Sequence, residues 1–115
     1  DRQTIFLASL VAKEASKGLY VVILGKTFKP ETNLTMGSPA LLLKHYVDKY
    51  TQGDAKIFDP YIDGELILTG PAVYFIATKH EIFRETLFPQ GSVVIDPFRY
   101  IEQRNGITYI PVGVS

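Results

Sequence analysis

The sequence predicts an α/β protein: a Rossmann-like three-layer α/β/α sandwich with a mostly parallel sheet of about five strands. Three observations lead to this fold class. Short apolar runs of strand length alternate along the chain with segments of helical periodicity. The run at residues 19–24 is continuously apolar, as is typical of a strand buried on both faces of a parallel sheet. The 115 residues, 46% of them hydrophobic, suffice for one domain with its own core.

The first half of the chain contains two helices around this central strand. Apolar side chains recur at three- and four-residue spacing over residues 3–16, which predicts a helix that Gly18 ends. After the central strand and a polar loop, Ser38 is the expected N-cap of a second helix with Pro39 at its first position. Gly53 is expected to end that helix.

The second half contains shorter elements. Strands are predicted over residues 56–58, 73–77, 93–95 and 107–112, with a short extended segment at 66–68. Thr78 followed by Glu81 has the capping-box pattern, which predicts a helix from there to about Leu87. Because strands and helices alternate, the connections are expected to be right-handed crossovers between parallel strands.

Composition excludes several classes of function. The 12 basic and 12 acidic residues cancel, so the chain has no broad positive field for nucleic acid or an anionic membrane. It contains no cysteine, which excludes disulfides, thiolate catalysis and cysteine-containing zinc sites. Its apolar runs are far shorter than the roughly 20 residues that span a bilayer, and no signal-like segment opens the chain. We therefore expect a cytoplasmic protein without a metal.

The loop after the central strand is the first place to look for a ligand. Ligands of open parallel sheets bind beyond the carboxyl ends of the strands. Residues 25–30 place a glycine and two lysines, Lys26 and Lys29, at such an end. This composition suits a phosphate site and equally suits a solvated turn. Asp59 and Asp96 end other strands before prolines, where carboxylates usually cap turns.

Segments in this order resemble one protein family. The longest reads Val22-Ile23-Leu24-Gly25-Lys26-Thr27-Phe28-Lys29-Pro30-Glu31-Thr32-Asn33 and is followed by Gly37-Ser38-Pro39-Ala40. Further matches lie at residues 57–60, 75–83 and 94–99. Together they resemble the C-terminal, nucleotide-sugar-binding domain of the UDP-glucose/GDP-mannose dehydrogenases.

The resemblance implies an enzyme that oxidises the sugar 6-hydroxyl of a nucleotide sugar to a carboxylate with NAD. In that family an N-terminal domain holds NAD together with the catalytic cysteine and lysine. We expect residues 1–18 to be a helix continuing from such an upstream domain, and residues 19–115 to bind a UDP-sugar without being catalytic alone. NAD is not expected to bind tightly to this part.

The resemblance also implies substrate-binding roles for Phe28, Lys29 and Arg99. Phe28 and Lys29 occupy the place where the family's backbone and an ammonium group meet the sugar nucleotide. The family carries an arginine two residues after the late aspartate, where Phe98 stands here, and Arg99 lies one residue further. Met36 stands where the family carries an arginine near the NAD phosphates, so we assign no NAD-binding residue.

Two alternatives stay open. The Met36 and Arg99 departures are consistent with an assembly domain whose ligand cleft is degraded, and the apolar side chains of Phe6, Leu7 and Leu10 in the first helix could then support a homodimer. A receiver-like signalling domain is suggested by Asp59 and Lys79, although the acidic cluster that would hold magnesium beside the first strand is missing.

Overall fold

A computed structural model describes residues 2–25, 39–51, 55–60, 63–64, 68 and 70–112. The expected N-cap Ser38 lies outside these residues, as do residues 66–67 of the expected extended segment. The helices are α1 (Arg2–Ala15), α2 (Pro39–Thr51) and α3 (Ile82–Glu85), and the strands are β1 (Tyr20–Leu24), β2 (Lys56–Phe58), β3 (Ala72–Ile76), β4 (Val93–Asp96) and β5 (Thr108–Pro111). None of the described helices is long and apolar enough to cross a membrane.

The five strands form one sheet in the order β2-β1-β3-β4-β5, and every neighbouring pair is parallel. The predicted Rossmann-like sheet of about five strands is therefore confirmed. The chain runs outward from β1 to β2 and then crosses back to β3 on the other side of β1. This reversal makes the space between the carboxyl ends of β1 and β3 the topological switch point.

Successive side chains along each strand point to opposite faces of the sheet, so the sheet has a hydrophobic core on each face. On one face α1 and α2 cover Val21, Ile23 and Phe75, which are buried. On the other face Leu24 and Ile76 belong to a second core together with Phe83 of α3. All of β3 is buried, as expected for a central strand with helices above and below it. The three layers of the predicted sandwich are therefore present.

The capping-box prediction at Thr78 is wrong. Helix α3 has Glu81 as its N-cap, without a side-chain hydrogen bond to the helix, and it ends at Glu85 instead of about Leu87. Thr78 is 4% exposed and belongs to the turn after β3, where its carbonyl oxygen accepts a 2.9 Å hydrogen bond from the backbone N–H of His80. The threonine is held against the loop after β1, and this packing replaces the local cap.

Candidate functional site

The carboxyl ends of β1 and β3 form the candidate site, and backbone hydrogen bonds tie the loops together there. The carbonyl oxygen of Leu24 accepts hydrogen bonds from the N–H groups of Ala77 at 2.8 Å and Thr78 at 3.3 Å. The N–H of Gly25 donates to the carbonyl oxygen of Phe58 at 2.6 Å. The segment that follows Gly25 in the sequence therefore begins at the switch point, on a fixed backbone.

Gly25 is required at this position for two reasons. Its φ is +107°, a conformation that side chains disfavour. A Cβ added there would lie 2.5 Å from Oγ1 of Thr78 and 2.9 Å from its backbone nitrogen. The glycine thus allows two loops to touch, and its open side is filled by protein. Because that contact does not fit the pyrophosphate cradle of a dinucleotide site, we assign no part of NAD to this edge.

The sequence-predicted site residues are only partly described. Phe28 and Lys29 lie outside the described residues, as does Met36. Arg99 is described: it is exposed and follows β4 at the same edge of the sheet as Gly25. Its φ is +57°, and it is the only non-glycine residue with a positive φ in the described part of the chain. Such a backbone persists only where the surrounding structure fixes it.

Asp96 fixes the turn that carries Arg99. Its carboxylate is fully buried at the end of β4. One oxygen, Oδ1, accepts hydrogen bonds from the N–H groups of Phe98 and Arg99 at 3.0 Å each, and Oδ2 accepts from the N–H groups of Tyr100 and Ile101 and from the Tyr109 hydroxyl at 2.8 Å each. The predicted turn-capping role of Asp96 is therefore confirmed, because four backbone N–H groups of the turn donate to its carboxylate.

Tyr100 links this turn to the loop after β3. Its hydroxyl donates a 2.7 Å hydrogen bond to the carbonyl oxygen of His80. The ammonium nitrogen of Lys79 lies 5.6 Å from the centroid of the Tyr100 ring, within the range of a cation–π interaction. Lys79 itself is exposed. The loops after β3 and β4 consequently present Lys79 and Arg99 from one connected surface.

Two tyrosines near Asp96 stay protonated at neutral pH. Burial raises the pKa of Tyr100, and the carboxylates of Asp96 and Glu81 raise it further. Burial, together with the hydrogen bond to Asp96 and its negative charge, raises the pKa of Tyr109 to about 12. Both phenols therefore act as donors within the site and not as bases.

His80 and Asp59 form a buried pair behind the edge. The Nε2 atom of His80 lies 3.4 Å from Oδ2 of Asp59, and both side chains are fully buried. A phosphoacceptor aspartate must be reachable, so the burial of Asp59 disfavours the receiver-like alternative. Within the described ranges, no group of three or more His, Asp or Glu residues could hold a metal.

Sequence reasoning missed the contributions of Tyr100 and Tyr109, and it considered Lys79 only for the receiver-like alternative. The aspartate at the end of a predicted strand signalled a turn. Nothing in the local pattern indicated that Tyr109, from the next strand, would donate to Asp96, because that contact depends on the parallel pairing of β4 and β5.

Comparison with protein-family models and with curated proteins found no match to this chain.

Proposed function

We propose that this chain is the C-terminal, nucleotide-sugar-binding domain of an NAD-dependent nucleotide-sugar 6-dehydrogenase of the UDP-glucose to UDP-glucuronate type. It binds the UDP part of its substrate at the carboxyl edge of the sheet. One observation carries the proposal: Gly25, which opens the lysine-bearing segment 25–30, stands at the switch point between β1 and β3. Ligands of open α/β sheets bind in that crevice.

Basic residues that follow three of the strands in the sequence support an anionic ligand. Lys26 and Lys29 follow Gly25 in the sequence, and the exposed Lys79 and Arg99 follow β3 and β4. Ammonium and guanidinium groups are the usual ligands of phosphates in proteins.

In this proposal the domain contributes binding and not oxidation. The chain contains no cysteine, so the family's catalytic cysteine would have to come from the N-terminal domain. NAD likewise belongs to that domain in this proposal, since the chain contains no Gly-x-Gly-x-x-Gly segment.

Thermal unfolding of the 115-residue chain with UDP and UDP-glucose tests the proposal. Millimolar ligand is expected to raise the melting temperature, because binding to the folded state alone stabilises it. Lys29→Gln is expected to weaken binding by about tenfold, the size of one charged hydrogen bond. Lys49→Gln is the matched control, since Lys49 is exposed in the last turn of α2, at the opposite edge. Absence of any rise in the wild type would contradict the proposal.

A second candidate, assembly without nucleotide binding, is favoured by one surface. The side chain of Phe6 in α1 is 59% exposed and that of Ile5 is 37% exposed. Exposed apolar side chains of this kind would be buried by contact with a second copy of the chain. Sedimentation distinguishes the candidates: a stable dimer without UDP binding supports assembly, and a monomer that binds UDP rejects it.

A further inference from the structure

The turn after β4 adds an exposed aromatic ring to the cations Arg99 and Lys79, and the proposed function does not yet give this ring a role. The ring of Phe98 is 44% exposed, and its centroid lies 6.3 Å from that of Tyr100 in an edge-on arrangement at 85°. Lys79 is exposed with its ammonium nitrogen 5.6 Å from the Tyr100 ring centroid, and the exposed Arg99 lies between the two aromatic residues in the sequence. We call these four residues the aromatic corner.

The aromatic corner is held in place before any ligand arrives. The N–H groups of Phe98 and Arg99 share one oxygen of Asp96 at 3.0 Å each. Tyr100 is fixed at both ends, by its N–H on Asp96 at 2.8 Å and its hydroxyl on the His80 carbonyl at 2.7 Å. Phe98 therefore packs edge-on against the ring of Tyr100, which these two hydrogen bonds hold in place. A site built on fixed residues loses little conformational entropy when it binds.

The chemistry of the aromatic corner selects a particular kind of ligand. An exposed aromatic ring can stack on any nucleobase, because every base has a planar π-face. A neighbouring guanidinium and ammonium bind phosphate oxygens. A sugar phosphate would use only the cations, and an apolar segment would use only the ring. A nucleotide has both the planar base and the phosphates.

We propose that Phe98 stacks on the base of the bound nucleotide, while Arg99 and Lys79 contact its phosphates. This inference rests on the proposed function, because it gives the base a position within the same edge. It makes Phe98 a specificity-determining residue that distinguishes nucleotides from other phosphorylated ligands.

Ligand-observed proton NMR of UDP with the whole chain tests this stacking. The H5 and H6 signals of uracil are expected to move upfield on binding, because a ring current acts on protons above an aromatic face. Phe98→Leu keeps an apolar side chain but removes the ring, and it should weaken UDP binding by about tenfold. Phe98→Tyr should restore both the affinity and the upfield shift. Binding of inorganic pyrophosphate should be the same in all three proteins.

The outcomes separate the two proposals. If wild type binds UDP and Phe98→Leu binds it equally well, with unchanged uracil shifts, stacking is rejected and the proposed function stands. If Phe98→Leu weakens the binding of UDP and of pyrophosphate equally, the ring only stabilises the turn. This outcome also rejects stacking. If the wild type binds no UDP, the proposed function fails and the stacking fails with it.

Discussion

The hydroxyl of Tyr109 donates a 2.8 Å hydrogen bond to Oδ2 of Asp96, which joins β5 to the turn after β4. The same oxygen also accepts from the backbone of Tyr100 and Ile101. One buried carboxylate therefore connects the last strand of the sheet with the turn that presents Phe98 and Arg99. The stability of the fold and the geometry of the proposed site depend on the same anion.

Asp96→Asn is expected to destabilise the fold by about 3 kcal/mol, the usual cost of disturbing a buried charged network. The asparagine amide group would place N–H donors against backbone N–H donors. Urea unfolding followed by circular dichroism measures the change. Asp48→Asn is the matched control, because Asp48 accepts hydrogen bonds only from the N–H of Ala55 and the ammonium group of Lys44 among the described residues, and its side chain is 26% exposed. A loss for Asp96→Asn no greater than for the control would contradict the role of Asp96.

Tyr109→Phe removes the donor from β5 and should destabilise the fold by about 1 kcal/mol at neutral pH. The pKa of Tyr109 in the folded state is about 12, above its ordinary value of 10.0. Its contribution is therefore complete below pH 10 and is lost as the pH rises through about 12.

The measurement is the difference in unfolding free energy between wild type and Tyr109→Phe at several alkaline pH values. The difference should shrink between pH 10 and about 12, because only the wild type has this phenol to lose. A difference that stays constant across this window would show that Tyr109 titrates normally.

Gly25→Ala should be strongly destabilising, by at least about 3 kcal/mol, because it combines a positive φ with a steric clash. The added Cβ would meet Oγ1 of Thr78 at 2.5 Å. Gly18→Ala is the matched control: its φ is +94°, but nothing lies within 4 Å of an added Cβ. It should cost only about 1 kcal/mol, the cost of the left-handed backbone.

Thermal melts of the two variants give the comparison directly. The excess loss in Gly25→Ala measures the contact between the loops after β1 and β3. Equal losses in the two variants would mean that these loops do not touch as described.

The strands of this fold were predictable because most of them are short, continuous runs of apolar residues in the sequence. The continuous run at residues 19–24 predicted a parallel strand, and β1 lies between β2 and β3. The prediction that it is the central, fully buried strand is wrong, because β3 is the middle strand of the sheet and Tyr20 of β1 is 83% exposed. The position of Arg99 at the carboxyl edge followed from its place after a strand. The position of Thr78 did not, because a nearby glutamate suggested a cap while a distant residue, Gly25, determined its packing.

The interactions around Asp96 were beyond local patterns for the same reason. A strand-ending aspartate before Pro97 indicates a turn, but the hydroxyl that completes its set of donors comes from Tyr109 in another strand. Likewise, the contact between Lys79 and the ring of Tyr100 joins two loops that only the sheet order brings together. Contacts of this kind require the topology before they can be inferred.

A map of backbone chemical-shift changes on adding UDP to the 115-residue chain tests the central claim most directly. The account predicts changes concentrated at the carboxyl edge, at Gly25, Lys79 and Arg99. The opposite edge provides an internal control, because a cavity of about 320 Å³ there is lined in part by Tyr20 and Tyr50. Shifts confined to that cavity, or no shifts at millimolar UDP, would contradict binding at the carboxyl edge.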